Sequence, residues 1–329
     1  MTSNHPIEFT EDLQEASPAT RIGLSSAGVS RSAKAIRLAF GGSEHYMDAT
    51  VECVVDLDPD QKGVHMSRFE EEVNEAIDSV LIDEAVAIEA LAEDIARCVV
   101  ERQGAVRGMA TIRARYPVEK RTPVTDVATQ EMYGLIGTAA ARVGSSRRAV
   151  GVSAQGMNAC PCAQGLVREQ AEAALADDGF TSEEIDRIIA RVPVATHNQR
   201  ARGTLIVGSP DGREVAADTL IEIVEDGMSS EIYELLKRPD ELYVVDRAHR
   251  RPRFVEDSVR EMIAGLIERF PDLPDGAFVS AHQENYETIH THDVEAGRHG
   301  LLGEMRAEVA GGQHAARHLS LAEWLDGGT

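Results

Sequence analysis

Val51-Glu52-Cys53-Val54-Val55-Asp56-Leu57 alternates along its length, so Val51, Cys53, Val55 and Leu57 share one apolar face. A period of two marks a half-buried β-strand. Just upstream, Ile36, Leu38 and Phe40 repeat the pattern, and Gly41-Gly42-Ser43 between the two runs is a turn signal. Downstream the period lengthens. Phe69, Val73, Ile77 and Val80 recur at helical spacing with Ser67 as the expected N-cap, and Ile88, Leu91, Ile95 and Cys98 do the same before a stop at Gly104. Alternation returns at Ala110, Ile112, Ala114 and Tyr116, and a longer strand region covers 132–156. Strands with a helix pair inserted predict an α+β fold, an antiparallel sheet with helices on one face. The open edges of such a sheet favour pairing between subunits, so a homo-oligomer (dimer or tetramer) is expected.

The second half echoes the first more loosely. A helix is expected over 163–176, and Thr181-Ser182-Glu183-Glu184 has the form of a capping box opening another. Thr204–Val207 reads as a short strand, Leu220–Val224 and Ser229–Lys237 as helices, and Val255, Val259, Met262, Ile263, Leu266, Ile267 and Phe270 as one amphipathic helix. Phe278–Gln283 and Tyr286–His292 read as closing strands. The expected organisation is a flexible lead over 1–25, a tandem domain over 26–310 with halves of about 26–150 and 151–310, and a tail over 311–329. The tail, with Leu319, Leu321, Ala322 and Trp324, is either a docking helix or a frayed end.

With 43% hydrophobic residues, the 329-residue chain has enough apolar surface for a globular core. Lys and Arg number 33 against 56 Asp and Glu, a net charge of −23. That balance excludes a nucleic-acid-coating surface, which needs cations to displace counterions. It also repels an anionic substrate at long range unless the site is locally basic or salt screens the field. The excess suggests a salt-rich, halophilic cytoplasm. Cys53 and Cys98 lie in apolar patterns and read as inert core thiols, which fits a reduced, cytoplasmic protein. No apolar run approaches a membrane span.

Chemistry concentrates in a few short motifs. Cys160-Pro161-Cys162 precedes Thr196-His197-Asn198-Gln199-Arg200, and Arg238-Pro239-Asp240-Glu241 and Ile289-His290-Thr291-His292 follow. Sulfur, imidazole and carboxylate together suit a borderline divalent ion such as zinc or ferrous iron. On an extended segment both thiols of Cys-Pro-Cys would point to one side, one as ligand and one as neighbour. His290 and His292 would likewise share a strand face, with Glu284 and Glu287 close by, an arrangement that suits acid–base work or metal contact. Glu256 opens the long amphipathic helix. Its two oxygens match the N1–H and 2-amino group of a guanine, although the helix dipole alone also favours an acid there. His65 precedes a helix N-terminus that could receive phosphate, and Lys62, Arg68, Arg200 and Arg202 could supply local positive charge.

The stretches Lys62–Phe69, Gln130–Gly137, Cys160–Cys162, His197–Arg200, Tyr233–Glu241, Arg253–Asp257 and Ile289–His292 together resemble the type IB GTP cyclohydrolases, in particular their archaeal, methanopterin-pathway branch. The likeness runs over about residues 8 to 300. One departure is Ala163, where bacterial members usually carry Ser. The resemblance implies a tunnelling fold (T-fold) whose barrel is completed by oligomerisation. It implies a metal held by Cys160, His197 and Glu241, with Cys162 adjacent, and Cys160, His290 and His292 as the catalytic set. It implies Glu256 as guanine anchor, with His65 and Arg200 also on the substrate. The metal would be Fe2+, with Zn2+ or Mn2+ as alternatives. GTP would be converted to 7,8-dihydroneopterin 2′,3′-cyclic phosphate, formate and pyrophosphate. The alternatives are the bacterial-type product, 7,8-dihydroneopterin triphosphate, and a non-catalytic metal- or pterin-binding protein of the same fold.

Overall fold

The computed structural model describes residues 16–40, 43–79, 88–314 and 318–328. Most of the expected N-terminal lead, Gly41-Gly42 of the expected turn, and Val80 fall outside them. The chain forms two compact units, residues 1–113 with 137–148, and residues 114–136 with 149–329. Strands β3 (Arg107–Arg121), β4 (Ala128–Arg142) and β5 (Ser145–Ala159) each have part of their length in either unit.

In the first unit, β1 (Leu24–Phe40) and β2 (Ser43–Leu57) pair antiparallel, with Val29 opposite Cys53 and Ile36 opposite Met47. Gly28 lies so close to β2 that a Cβ would fall 2.1 Å from the Cys53 carbonyl oxygen, which only glycine permits. The register then slips between Val29 and Ser32, where Arg31 takes a φ of 57°, a bulge that absorbs one extra residue. Helices α1 (Met66–Ser79) and α2 (Ile88–Gln103) bury Phe69, Val73, Leu91, Ile95 and Val99 with the apolar face of β2. The expected N-cap at Ser67 is therefore a residue inside the helix. The single strand region expected over 132–156 is two strands, because Gly144 supplies the positive φ (80°) of the turn between β4 and β5.

In the second unit β5 pairs with β6 (Asn198–Gly208), β6 with β8 (Phe278–Asn285) and β8 with β9 (Val294–Leu301), all antiparallel. Short β7 (Ser230–Glu231) pairs with the end of β5. Between β5 and β6 stand α3 (Pro161–Asp177) and α4 (Ser182–Arg191), and the expected capping box at Thr181 and Glu184 is present. Helices α5 (Ala217–Gly227) and α7 (Val255–Arg269) supply Leu220, Ile223, Val224, Val259, Met262 and Leu266 to the core. Burying each such side chain contributes about 1.5–3 kcal/mol. Helices α6 (Arg238–Arg250), α8 (Leu302–Val309) and α9 (Leu321–Leu325) complete the unit. The tail question resolves in favour of docking: Trp324 is fully buried against Phe278, and its indole N–H donates to the Gly276 carbonyl at 3.0 Å.

Two expected elements differ. Ser229–Lys237 is not a helix; the helix begins at Arg238, because Pro239 lies in its first turn, where a missing N–H costs nothing. Tyr286–His292 is not a strand but the bend between β8 and β9. No helix among the described residues is long and apolar enough to cross a membrane.

Candidate active site

Strand register builds the site. The last pair of β5 and β6 is Ala159 with Asn198, so Cys160 leaves one strand where His197 enters the other. The Cys160 amide donates to the His197 carbonyl at 3.1 Å, and the Thr196 hydroxyl donates to the Cys160 carbonyl at 2.8 Å. On the far side of β6, the first pair with β8 is Ala201 with Asn285, and the Tyr286 amide extends the ladder to the Arg200 carbonyl at 3.0 Å. That step sets Glu287 beside Gln199, whose side-chain amide donates to Glu287 Oε1 at 2.9 Å. Three adjacent strand ends thus carry a thiol, an imidazole and a carboxylate.

A buried amide holds these ends together. Asn158, fully buried, donates to Ser258 Oγ and to Asn285 Oδ1, each at 3.0 Å, and accepts from the Ser229 amide at 3.0 Å. One side chain thereby ties β5 to β8, to α7 and to the segment before β7. Losing such a satisfied buried group costs about 1–3 kcal/mol per stranded partner.

Cys160 is the N-cap of α3, and its sulfur accepts from the Ala163 amide at 3.5 Å. Pro161 and Cys162 already belong to the first helical turn. The expected extended Cys-Pro-Cys segment is therefore corrected: proline pre-forms the helix start, so the thiols do not project to one side as they would from a strand. Cys162 is exposed and Cys160 half-buried. His290 and His292 lie on the exposed bend, yet their rings stack at 5.3 Å between centroids. The proximity expected of a shared strand face is met by a turn instead.

His197 and Glu287 are the most telling pair. Their side chains are 12% and 7% exposed, and His197 Nδ1 faces Glu287 Oε2 at 3.8 Å. Neither atom has a hydrogen-bond partner among the described residues. A buried carboxylate oxygen and a buried imidazole nitrogen left bare are costly unless something binds them. A divalent ion fits that donor set, with the Cys160 sulfur on the neighbouring strand end. Within one chain, however, no group of three or more His, Cys, Asp or Glu side chains among the described residues is placed to hold an ion.

The other expected residues are more dispersed. Glu241 is exposed in the first turn of α6. That helix meets α3 at its opposite end, where Gln164 donates to the His249 carbonyl at 2.7 Å, roughly 12 Å along the axis at 1.5 Å per residue. Glu256 is exposed at the start of α7 and lines a cavity of about 460 Å³ with Val259, Arg260, Arg298 and Glu308. Arg200 is exposed and donates to Gln155 at 3.3 Å, on the face of β6 opposite buried Gln199. His65 belongs to the first unit, where its carbonyl accepts from the Arg68 amide ahead of α1.

Sequence reasoning missed a second buried network. Lys120 donates to both oxygens of Glu225 at 2.8 Å, and the Tyr133 hydroxyl donates to Oε1 at 2.7 Å. Burial raises the Glu225 carboxyl, and Lys120 and Tyr133 partly offset the rise. Burial and the nearby Glu225 charge push the Tyr133 phenol well above its usual range. Arg247 and Tyr233 likewise hold Glu231 at 3.0 Å. Lys120 and Tyr133 stand 105 and 92 residues from Glu225, so the sequence offers no local signal of those contacts.

The fold belongs to the tunnelling-fold class. The chain superposes on the uricase of Arthrobacter globiformis with a TM-score of 0.50, over 84% of this chain and 93% of that one. It superposes on a hyper-thermostable AgUricase mutant with a TM-score of 0.52, over 92% and 96%. At 10% identity in both cases the likeness concerns the fold alone. Sequence carries the assignment further. Residues 10–296 match the family described as type I GTP cyclohydrolase folE2. The GTP cyclohydrolase MptA of Methanococcus aeolicus is 39% identical over 305 residues, 91% of this chain and 99% of its own. The Methanosarcina mazei protein of the same name is 35% identical over 308 residues, 91% and 97%. The chain belongs to the GTP cyclohydrolase folE2/MptA family, is an enzyme, and has GTP as its family substrate.

Proposed function

We propose that this GTP cyclohydrolase depends on a divalent ion, ferrous iron in the first instance. Its products would be 7,8-dihydroneopterin 2′,3′-cyclic phosphate, formate and pyrophosphate. The observation that carries the metal reading is the buried His197 Nδ1, without a hydrogen-bond partner among the described residues, beside the strand end that presents Cys160. Cys160 and His197 would hold the ion, with Glu241 as the third ligand that the family resemblance suggests. When bound, the ion supplies the Lewis acidity that makes water a nucleophile toward C8 of the purine at neutral pH.

The chain's own residues do the rest. Glu256 accepts from the guanine N1–H and 2-amino group, a paired contact that a neutral side chain would not match. His290 or His292, adjacent and solvent-accessible, moves the proton to N7 as the imidazole ring of the purine opens. Cys162, one residue into α3, borders the same strand end. His65 and Arg200 are assigned to the substrate's charged groups. The cyclic phosphate forms when a ribose-derived hydroxyl displaces pyrophosphate from the α-phosphorus. The bacterial-type product keeps all three phosphates.

Product mass decides between these outcomes. Anaerobic incubation with GTP and Fe2+ should yield formate, pyrophosphate and a pterin carrying a single phosphate. A pterin that retains the triphosphate would contradict the cyclic-phosphate assignment, and no formate at all would contradict the metal-dependent reading.

A further inference from the structure

We propose that Arg253 is the positioning residue that aims Glu256 at the guanine. The inference rests on the guanine-anchor reading of Glu256 above and names what holds that anchor. Arg253 opens the Arg253–Asp257 motif, and the chemistry above makes no use of it.

A carboxylate that accepts two N–H groups from one ring edge must lie in the plane of that ring. A contact of this kind needs its direction held to about 10–20°. Glu256 is exposed in the first turn of α7, while Val255 and Ser258 beside it are buried. Its aim is therefore the aim of the helix start.

Arg253 fixes that start from three sides. Its amide donates to the Ala159 carbonyl at 3.0 Å, at the end of β5. Its guanidinium, only 14% exposed, donates to the Asp226 carbonyl and, at 3.4 Å, to the Met228 carbonyl. Asp226 lies in the last turn of α5, where carbonyls lack partners within the helix and a cation is favoured. The other arm reaches Glu261 Oε2 at 2.7 Å, further along α7. One planar fork thus joins the start of α7 to the end of α5, a geometry that the point charge of a lysine copies only in part. Asn158 holds the buried side of the same turn through Ser258 at 3.0 Å, so loss of Arg253 lets the start swing without undoing the helix.

The test is steady-state formate release from GTP with Fe2+ under anaerobic conditions, with ITP, which lacks the 2-amino group, as competitor. Wild type should prefer GTP, and Glu256→Gln should lose that preference. Arg253→Gln should raise KM for GTP about tenfold, keep kcat nearly unchanged and shrink the preference over ITP. Arg253→Lys should move the same way by less. Arg251→Gln removes a donor to the same Asp226 carbonyl but no contact to α7, and should match wild type. Circular dichroism checks each fold, and the lysine variant carries the test should the glutamine variant not fold. Wild-type KM and preference in whichever Arg253 variant is judged would overturn the proposal while leaving the anchor reading to Glu256→Gln. So would a loss of kcat alone, the mark of a merely structural role, or an Arg251→Gln as impaired as Arg253→Gln. No preference in wild type, or full preference in Glu256→Gln, would overturn the anchor reading and Arg253 with it.

Discussion

Cys160 and His197 are legible in the sequence because each stands in a short polar motif that no packing pattern explains. Glu287 was visible only as a carboxylate near two histidines. Its facing of His197 depends on which residue of β6 meets which residue of β8, and no single stretch encodes that pairing. Glu72 was not legible at all, because on α1 it looks like one more surface acid. It is buried, and both its oxygens lack hydrogen-bond partners among the described residues. Burial pushes its carboxyl up to about 7 from an ordinary value of 4.5. An acid whose folded pKa is raised contributes stability that is complete below the unfolded pKa and is lost as pH rises through the folded one. Stability measured by urea unfolding should therefore fall between about pH 4.5 and about pH 7 in the parent, and that component should vanish in Glu72→Gln. Parallel curves for parent and variant would show that Glu72 does not titrate in this range.

At the scale of elements, the hydrophobic periods placed β1, β2, α1, α2, α7 and β8 close to where they lie. The misreadings cluster at prolines. Pro161 and Pro239 look like stiffeners or stops, yet each begins a helix, a role that φ restriction allows only in the first turn. Asp240 shows what completes the second of these starts. Its buried carboxylate accepts from the amides of Val124, Thr125 and Lys237 and from the Thr125 hydroxyl, at 2.6–3.0 Å. Burial would raise its pKa, but these four donors outweigh it and hold the carboxyl well below the usual range. A depressed folded pKa contributes stability that is present above the unfolded value, about 3.9, and lost as pH falls through the folded one. Asp240→Asn, which keeps one acceptor oxygen, should lower the thermal midpoint by several degrees at pH 7 and flatten the acid limb of the stability curve. An unchanged acid limb would mean that Asp240 is not the group responsible.

Over the whole molecule, the α+β class and the family were both readable before any coordinates, the first from alternating periods and the second from seven short motifs spread along the chain. What could not be read is how two compact units divide the strands, since β3, β4 and β5 each contribute to both. The chain's charge of −23 sets a further condition on function, because a nucleotide must reach a site embedded in an acidic protein. A divalent ion at the Cys160–His197 strand ends, as proposed above, would supply that positive charge locally. The most direct test follows the carbon that leaves. With GTP labelled at C8 and Fe2+ under anaerobic conditions, wild type should release labelled formate, and Cys160→Ala and His197→Ala should release none while keeping the wild-type circular dichroism. Labelled formate at the wild-type rate from either variant, or none from wild type, would contradict the account.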